Sequence, residues 1–99
     1  MKIIWTHEAL EGTKSIYNYY KLRASLRVAK SIKNKIFSSV KNLQSHPKKG
    51  KIEELLLHKK GEYRYLVTSN YKVVYKLNEK EIYIMNVSDC RRNPENIKI

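Results

Sequence analysis

GEYRYLVTSNYKVVYKLNEKEIYIMNVSD, residues 61–89, decides the fold. Within it Tyr63, Tyr65 and Val67 alternate with Arg64, Leu66 and Thr68. Tyr71, Val73, Tyr75 and Leu77 alternate with Lys72, Val74 and Lys76, and Ile82, Ile84 and Asn86 alternate with Tyr83, Met85 and Val87. A period of two in aromatic and β-branched residues predicts three strands, because successive side chains of a strand point to opposite faces. Thr68-Ser69-Asn70 and Asn78-Glu79-Lys80 are short polar connections, so the economical arrangement is an antiparallel meander.

Upstream the period changes to that of a helix. Ala9, Thr13, Ile16, Tyr17, Tyr20 and Ala24 form one apolar stripe, and Val28, Ala29, Ile32, Ile36, Val40 and Leu43 form a second. Thr6 and Ser25 stand where a hydroxyl can accept the unpaired early N–H groups of each helix, and Glu8 favours the positive end of the first. Gly12 weakens the first helix without hiding its period. Pro47 and Gly50 close the second. Ile3-Ile4-Trp5 reads as an opening strand, Glu53 to Leu57 as an extension, and His58-Lys59-Lys60-Gly61 as a loop. Helices and sheet each keep an apolar face that must be covered, which predicts an α+β, two-layer β-α-α-β-β-β fold: a helical hairpin packed on a small, mainly antiparallel sheet. The far face of the sheet is the natural place for function.

A chain of 99 residues fits one domain over 1–99 and buries only about 60–65% of its unfolded surface. Eight tyrosines beside one Trp and one Phe give aromatic surface that tolerates a protein's edge. Lys and Arg number 21 against nine Asp and Glu, so the net charge is 21 − 9 = +12. No acidic residue stands between Glu11 and Glu53, a stretch through which basic residues run from Lys14 to Lys51. That field implies a polyanion or an acidic protein as partner. The lone Cys90 makes no internal disulfide, no apolar run is long enough to cross a bilayer, and Met1 to Trp5 is too short for a signal peptide, so a cytoplasmic protein is expected. No cofactor is expected either: there is no phosphate-cradling glycine loop, no grouped carboxylates and no Cys/His cluster, and the three histidines lack metal-ligand spacing.

Ile4-Trp5-Thr6 followed by Ala9, the two helices ending in Leu43, Pro47 and Gly50, then Gly61-Glu62-Tyr63-Arg64, Tyr71-Lys72-Val73-Val74-Tyr75 and Asp89-Cys90-Arg91-Arg92-Asn93-Pro94 together resemble the RelE/ParE toxin superfamily over residues 2–95. The resemblance leans toward the ParE-like branch. It implies the toxin of a type II toxin–antitoxin pair, held by a cognate acidic antitoxin through which alone it meets operator DNA. Two targets divide such toxins: RelE-like members cleave mRNA in the ribosome, and ParE-like members block DNA gyrase. A basic nucleic-acid-binding module without toxicity is a third reading of the charge.

Cleavage through the 2′-hydroxyl needs a group to take its proton, cations for the charge on phosphate and an acid for the leaving oxygen. Arg64, Arg91 and Arg92 are candidate phosphate or target contacts through their planar forks, and Lys72 is a candidate point charge. A base is harder to find. Asp89 stands where many relatives carry histidine, yet its neighbours Arg91 and Arg92 would weaken its basicity, and it suits orienting an arginine or capping a turn better. His58 is the remaining imidazole candidate, in a basic loop where a plain surface role also suffices. Arg64 has its own plain reading, a salt bridge with Glu62 or Glu81. The terminal arginines without a persuasive acid/base set favour the gyrase-directed reading. Alanine at Arg64, Arg91 or Arg92 is expected to spare the thermal transition if the side chain is exposed.

Overall fold

A computed structural model describes residues 1–91. Strand β1 (Lys2–Trp5) leads to helices α1 (His7–Arg23) and α2 (Leu26–Asn42). A two-residue strand β2 (Lys51–Ile52) and a 3-10 turn at Glu54–Leu56 precede the meander of β3 (Glu62–Thr68), β4 (Tyr71–Leu77) and β5 (Glu81–Asp89). The sheet order is β1-β5-β4-β3-β2. All neighbours are antiparallel except β1, which runs parallel to β5 with Ile3 opposite Ile82 and Trp5 opposite Ile84. The two-layer architecture read from the sequence is the one observed.

Both helices start as their caps dictate. Thr6 Oγ1 accepts from Ala9 N at 3.2 Å and Ser25 Oγ from Val28 N at 3.1 Å. Thr6 also ties the helix to the sheet, since its hydroxyl donates to Ile84 O at 2.6 Å. Ala9, Ile16, Ile36, Val40 and Leu43 meet Tyr71, Val73, Tyr75, Ile82, Ile84 and Val87 in one core, with Trp5 and Tyr20 at its margin. Two members of the helical stripes are exposed, Val28 at 41% and Ala24.

Strict alternation fails in β5. Tyr75 pairs with Ile84 but Val74 pairs with Asn86, so Met85 is an extra residue and the register slips. The bulge inverts the alternation beyond it. Val87 therefore joins Ile82 and Ile84 on the helix face, whereas simple alternation would place it opposite them. The far face is not bare. Leu56, from the 3-10 turn, covers Tyr63 and Val74 there, with Tyr65 and Met85 packed alongside. Where the sequence predicts an extension of the strands at residues 53–57, the added strand is Lys51–Ile52, and Glu54–Leu56 turn instead as a 3-10 helix that acts as a small second cover.

Candidate functional site

The candidate residues occupy three separate places. Arg64, in β3, lies opposite Tyr75 and so points to the helix side of the sheet. There its Nε donates to Glu62 Oε2 at 2.6 Å, and its Nη1 donates to Gly50 O at 2.7 Å and Lys48 O at 3.4 Å. Its side chain is only 17% exposed. The guanidinium holds the Glu62 carboxyl below the usual carboxylate range, chiefly through this hydrogen bond. Tyr75 completes the clamp, donating from its hydroxyl to Pro47 O at 2.8 Å and accepting from Gly50 N at 2.9 Å. Burial raises that phenol's pKa. Gly50 has no room for a side chain, because a Cβ would lie 2.6 Å from Tyr65 O. Arg64 therefore fastens the loop that returns the chain from α2 to the sheet.

Lys72, in β4, points to the far face. Its ammonium pairs with Glu53 Oε2 and sits 4.5 Å from the centre of the Tyr65 ring. Lys72 and Glu53 side chains are 14% and 4% exposed, so this is an ion pair largely withdrawn from water. Glu53 also accepts from Leu55 N at 3.2 Å, which starts the 3-10 turn. Lys51, Glu54 and Leu55 join Tyr65 and Lys72 around a hollow of about 480 Å³ on this face.

Asp89 and Arg91 follow the last strand. Asp89 takes Arg91 side-on, Oδ1 accepting from Nε at 3.0 Å and Oδ2 from Nη2 at 2.7 Å, and Oδ1 also accepts from Arg91 N at 2.9 Å. Arg91 Nη2 donates as well to the hydroxyl of Tyr20 on α1. A side-chain hydrogen bond links Tyr20 to Tyr71. With Tyr71 and Arg91 both directed at its oxygen, the Tyr20 phenol is more acidic than an ordinary tyrosine, and burial makes Tyr71 less so. Arg91 remains 55% exposed. Asp89 orients the arginine, as its spacing suggested.

The strand register keeps these places apart. Arg64 lies four residues before Thr68, and Thr68, Tyr71 and Asp89 sit abreast. The offset is about 13 Å along the strands and about 10 Å across two strand spacings. Lys72 lies on the other face from both. His58 is exposed after the 3-10 turn, with no side-chain hydrogen bond or ion pair among the described residues. Arg92 lies outside the described residues. Among those described, no group of His, Cys, Asp and Glu could hold a metal ion, and no helix is long and apolar enough to cross a membrane.

Sequence reasoning missed Tyr20 and Glu53. Tyr20 reads as an ordinary member of an apolar stripe, and nothing local ties it to an arginine 71 residues away. Glu53 carried a signal: it ends the long stretch without acid, directly before a short apolar run.

Comparison with known proteins agrees with this fold. A solved structure of the chromosomal ParDE TA system from P. aeruginosa is similar with a TM-score of 0.75, at 23% identity, covering 90% of this chain and 95% of that one. No curated protein matches the chain. The family model for the ParE toxin of type II toxin-antitoxin system, parDE, matches residues 3–94. With that match running from the first strand past Arg91, the chain belongs to the ParE toxin family.

Proposed function

We propose that this toxin stops growth by binding DNA gyrase, and that a cognate acidic antitoxin holds it inactive. The observation that carries the reading is the state of Asp89. Its two oxygens are engaged by the fork and backbone N–H of Arg91, so the carboxylate that stands in for the histidine of many relatives serves as a tether. A base needs a lone pair aimed at the substrate hydroxyl, and ion pairing lowers proton affinity. Glu62 is likewise occupied by Arg64. With its Nε and Nη2 given to Asp89 and Tyr20, Arg91 then offers the remaining Nη1 of a fixed, half-exposed guanidinium to an acceptor on a protein surface. Arg64 and Lys72 support the surface from within, and Arg92 is proposed as a second contact. Operator DNA is reached through the antitoxin.

The antitoxin is proposed to lay an amphipathic helix or extended segment over the far sheet face beside the 3-10 turn, where the half-buried Tyr65 and Met85 border the covered Tyr63 and Val74. Complex formation should slow as salt rises, because screening removes the attraction that speeds encounter. Purified protein added in parallel to a gyrase supercoiling reaction and to a translating ribosome mixture tests the target. Inhibited supercoiling with intact mRNA is expected. Message cut at the ribosomal A site with supercoiling untouched would replace this reading with mRNA cleavage.

A further inference from the structure

From the outer face of α2, we infer that this protein carries a second, sequence-independent contact surface for the phosphate backbone of duplex DNA. Ala29, Ile36 and Val40 point to the core, with Ile32 at its margin. A rotation of 100° per residue then sets Arg27, Lys30, Asn34, Lys35, Ser38 and Lys41 on the opposite side. All six are exposed. With Thr68 of β3 they border a shallow concavity of about 650 Å³, from which only Lys41 stands aside.

Three features select the occupant. Charge comes first: Arg27, Lys30, Lys35 and Lys41 form no ion pair among the described residues, and no acidic residue occurs from 12 to 52 to neutralise them. The second is length. Arg27 to Lys41 spans about 21 Å of rigid helix, enough to meet several phosphates, which recur every ~3.4 Å of axis on each strand of a duplex. The third is what the face lacks. The one aromatic within α2, Phe37, is turned in against Trp5 with ring centres 4.7 Å apart, and no aromatic lines the concavity among the described residues, so no stacking platform is offered there to unpaired bases. Nor does any apolar side chain of the sort that anchors protein interfaces line the concavity among the described residues. Cations interleaved with amide and hydroxyl groups match the contacts proteins make to a DNA backbone. This surface does not depend on gyrase being the target.

The test measures binding of the full chain to a short mixed-sequence DNA duplex by fluorescence anisotropy across a salt series. Each phosphate contact contributes about 0.9 to the slope of log K against log salt, so four contacts change affinity about a hundredfold between 50 and 200 mM. The variant Arg27→Gln/Lys30→Gln/Lys35→Gln/Lys41→Gln should lose about 3–4 units of slope. Lys14→Gln/Lys21→Gln/Lys60→Gln/Lys80→Gln removes equal charge elsewhere and should keep most of it. Equal losses in the two variants would overturn the proposal, as would tighter binding of single-stranded RNA at the same salt. If the first variant fails to fold by circular dichroism, amide shifts of the unmodified protein on adding duplex decide. Shifts along residues 27–42 uphold the surface, and shifts confined elsewhere refute it.

Discussion

Replacing Gly12 with alanine should destabilise the protein although alanine is the better helix former. Beyond the Trp5–Ile84 pair, β1 no longer covers the edge of β5, and α1 takes its place. Thr6 N donates to Ile84 O at 3.1 Å, and one helical turn and a half later Gly12 lies directly on the β5 backbone. A Cβ there would stand 2.2 Å from Val87 O and 3.2 Å from Val87 C. That is more than about 1 Å short of normal contact. The obstacle is backbone in the sheet, so relief requires α1 to move off β5 and loosen the packing of Ala9 and Ile16. Overpacking of this kind costs about 1–3 kcal/mol, against at most about 1 kcal/mol gained in helix propensity. The net loss is expected near 1–2 kcal/mol, a fall in Tm of roughly 5–15 °C for a chain of this size. The assay is thermal melting by circular dichroism, with Ser15→Ala as control. Ser15 is exposed on the same helix and should melt within experimental scatter of the parent. A Gly12→Ala protein as stable as the parent would refute the close approach of α1 to β5.

Arg64→Ala should lower stability by about 1.5–3 kcal/mol in urea titrations at neutral pH, because a largely buried guanidinium loses its bonds to Gly50 O and Glu62. The depressed Glu62 pKa sets the sign with pH: its contribution is full above the unfolded value of about 4.3 and disappears as pH falls through the folded value. The gap between parent and variant should therefore narrow below about pH 4, and a constant gap would exclude the ion pair as a cause. Lys72→Met strands Glu53 in a nearly dry site and should cost about 3–5 kcal/mol, much of it recovered in Lys72→Met/Glu53→Gln. No recovery in the double variant would mean that Lys72 matters for packing alone. Arg91→Ala should leave the melting curve unchanged and reduce growth inhibition on induction, whereas full toxicity in the folded variant would remove Arg91 from the mechanism.

The elements were legible because they rest on short-range physics: the caps at Thr6 and Ser25, the helical stripes, and the alternation in β3 and β4. What eluded the sequence depends on register. The bulge at Met85 is one extra residue, invisible in composition, yet it moves Val87 to the other face. Arg64 illustrates the same limit. Alternation placed it beside Leu66 and pairing with Glu62 was anticipated, but its exposure depends on the Pro47–Gly50 loop folding over it. The expectation that alanine at Arg64 spares folding holds for an exposed side chain, and at 17% exposure Arg64 does not meet that condition. Asp89 was legible as a partner of Arg91 because a contact two residues apart needs no long-range fold, whereas the third member, Tyr20, comes from α1.

The charge is organised by layer, and this has consequences for kinetics as well as for sites. In the sheet and its loops, Glu62 answers Arg64, Glu53 answers Lys72 and Asp89 answers Arg91. Each of these acids fixes a cation in place, so at these three positions the sheet layer presents oriented, paired groups. The helical layer is different. Lys33 and Arg23 rest on the rings of Tyr17 and Tyr19, which position the cations without neutralising them, and the outer face of α2 has no acid at all. The two helices hold eight Lys and Arg against Glu8 and Glu11, so they carry 8 − 2 = +6, half of the total of +12, and α2 carries its share without any acid. The acid-free outer face of α2 attracts a polyanion at long range, and that attraction loses strength within a Debye length of about 8 Å at physiological salt. Contacts at the sheet are made at short range by groups already paired, and they are less sensitive to salt. Neutralising α2 should thus slow encounters with an acidic partner while leaving dissociation from the sheet face nearly unchanged, and stopped-flow rates for the variants already described separate the two.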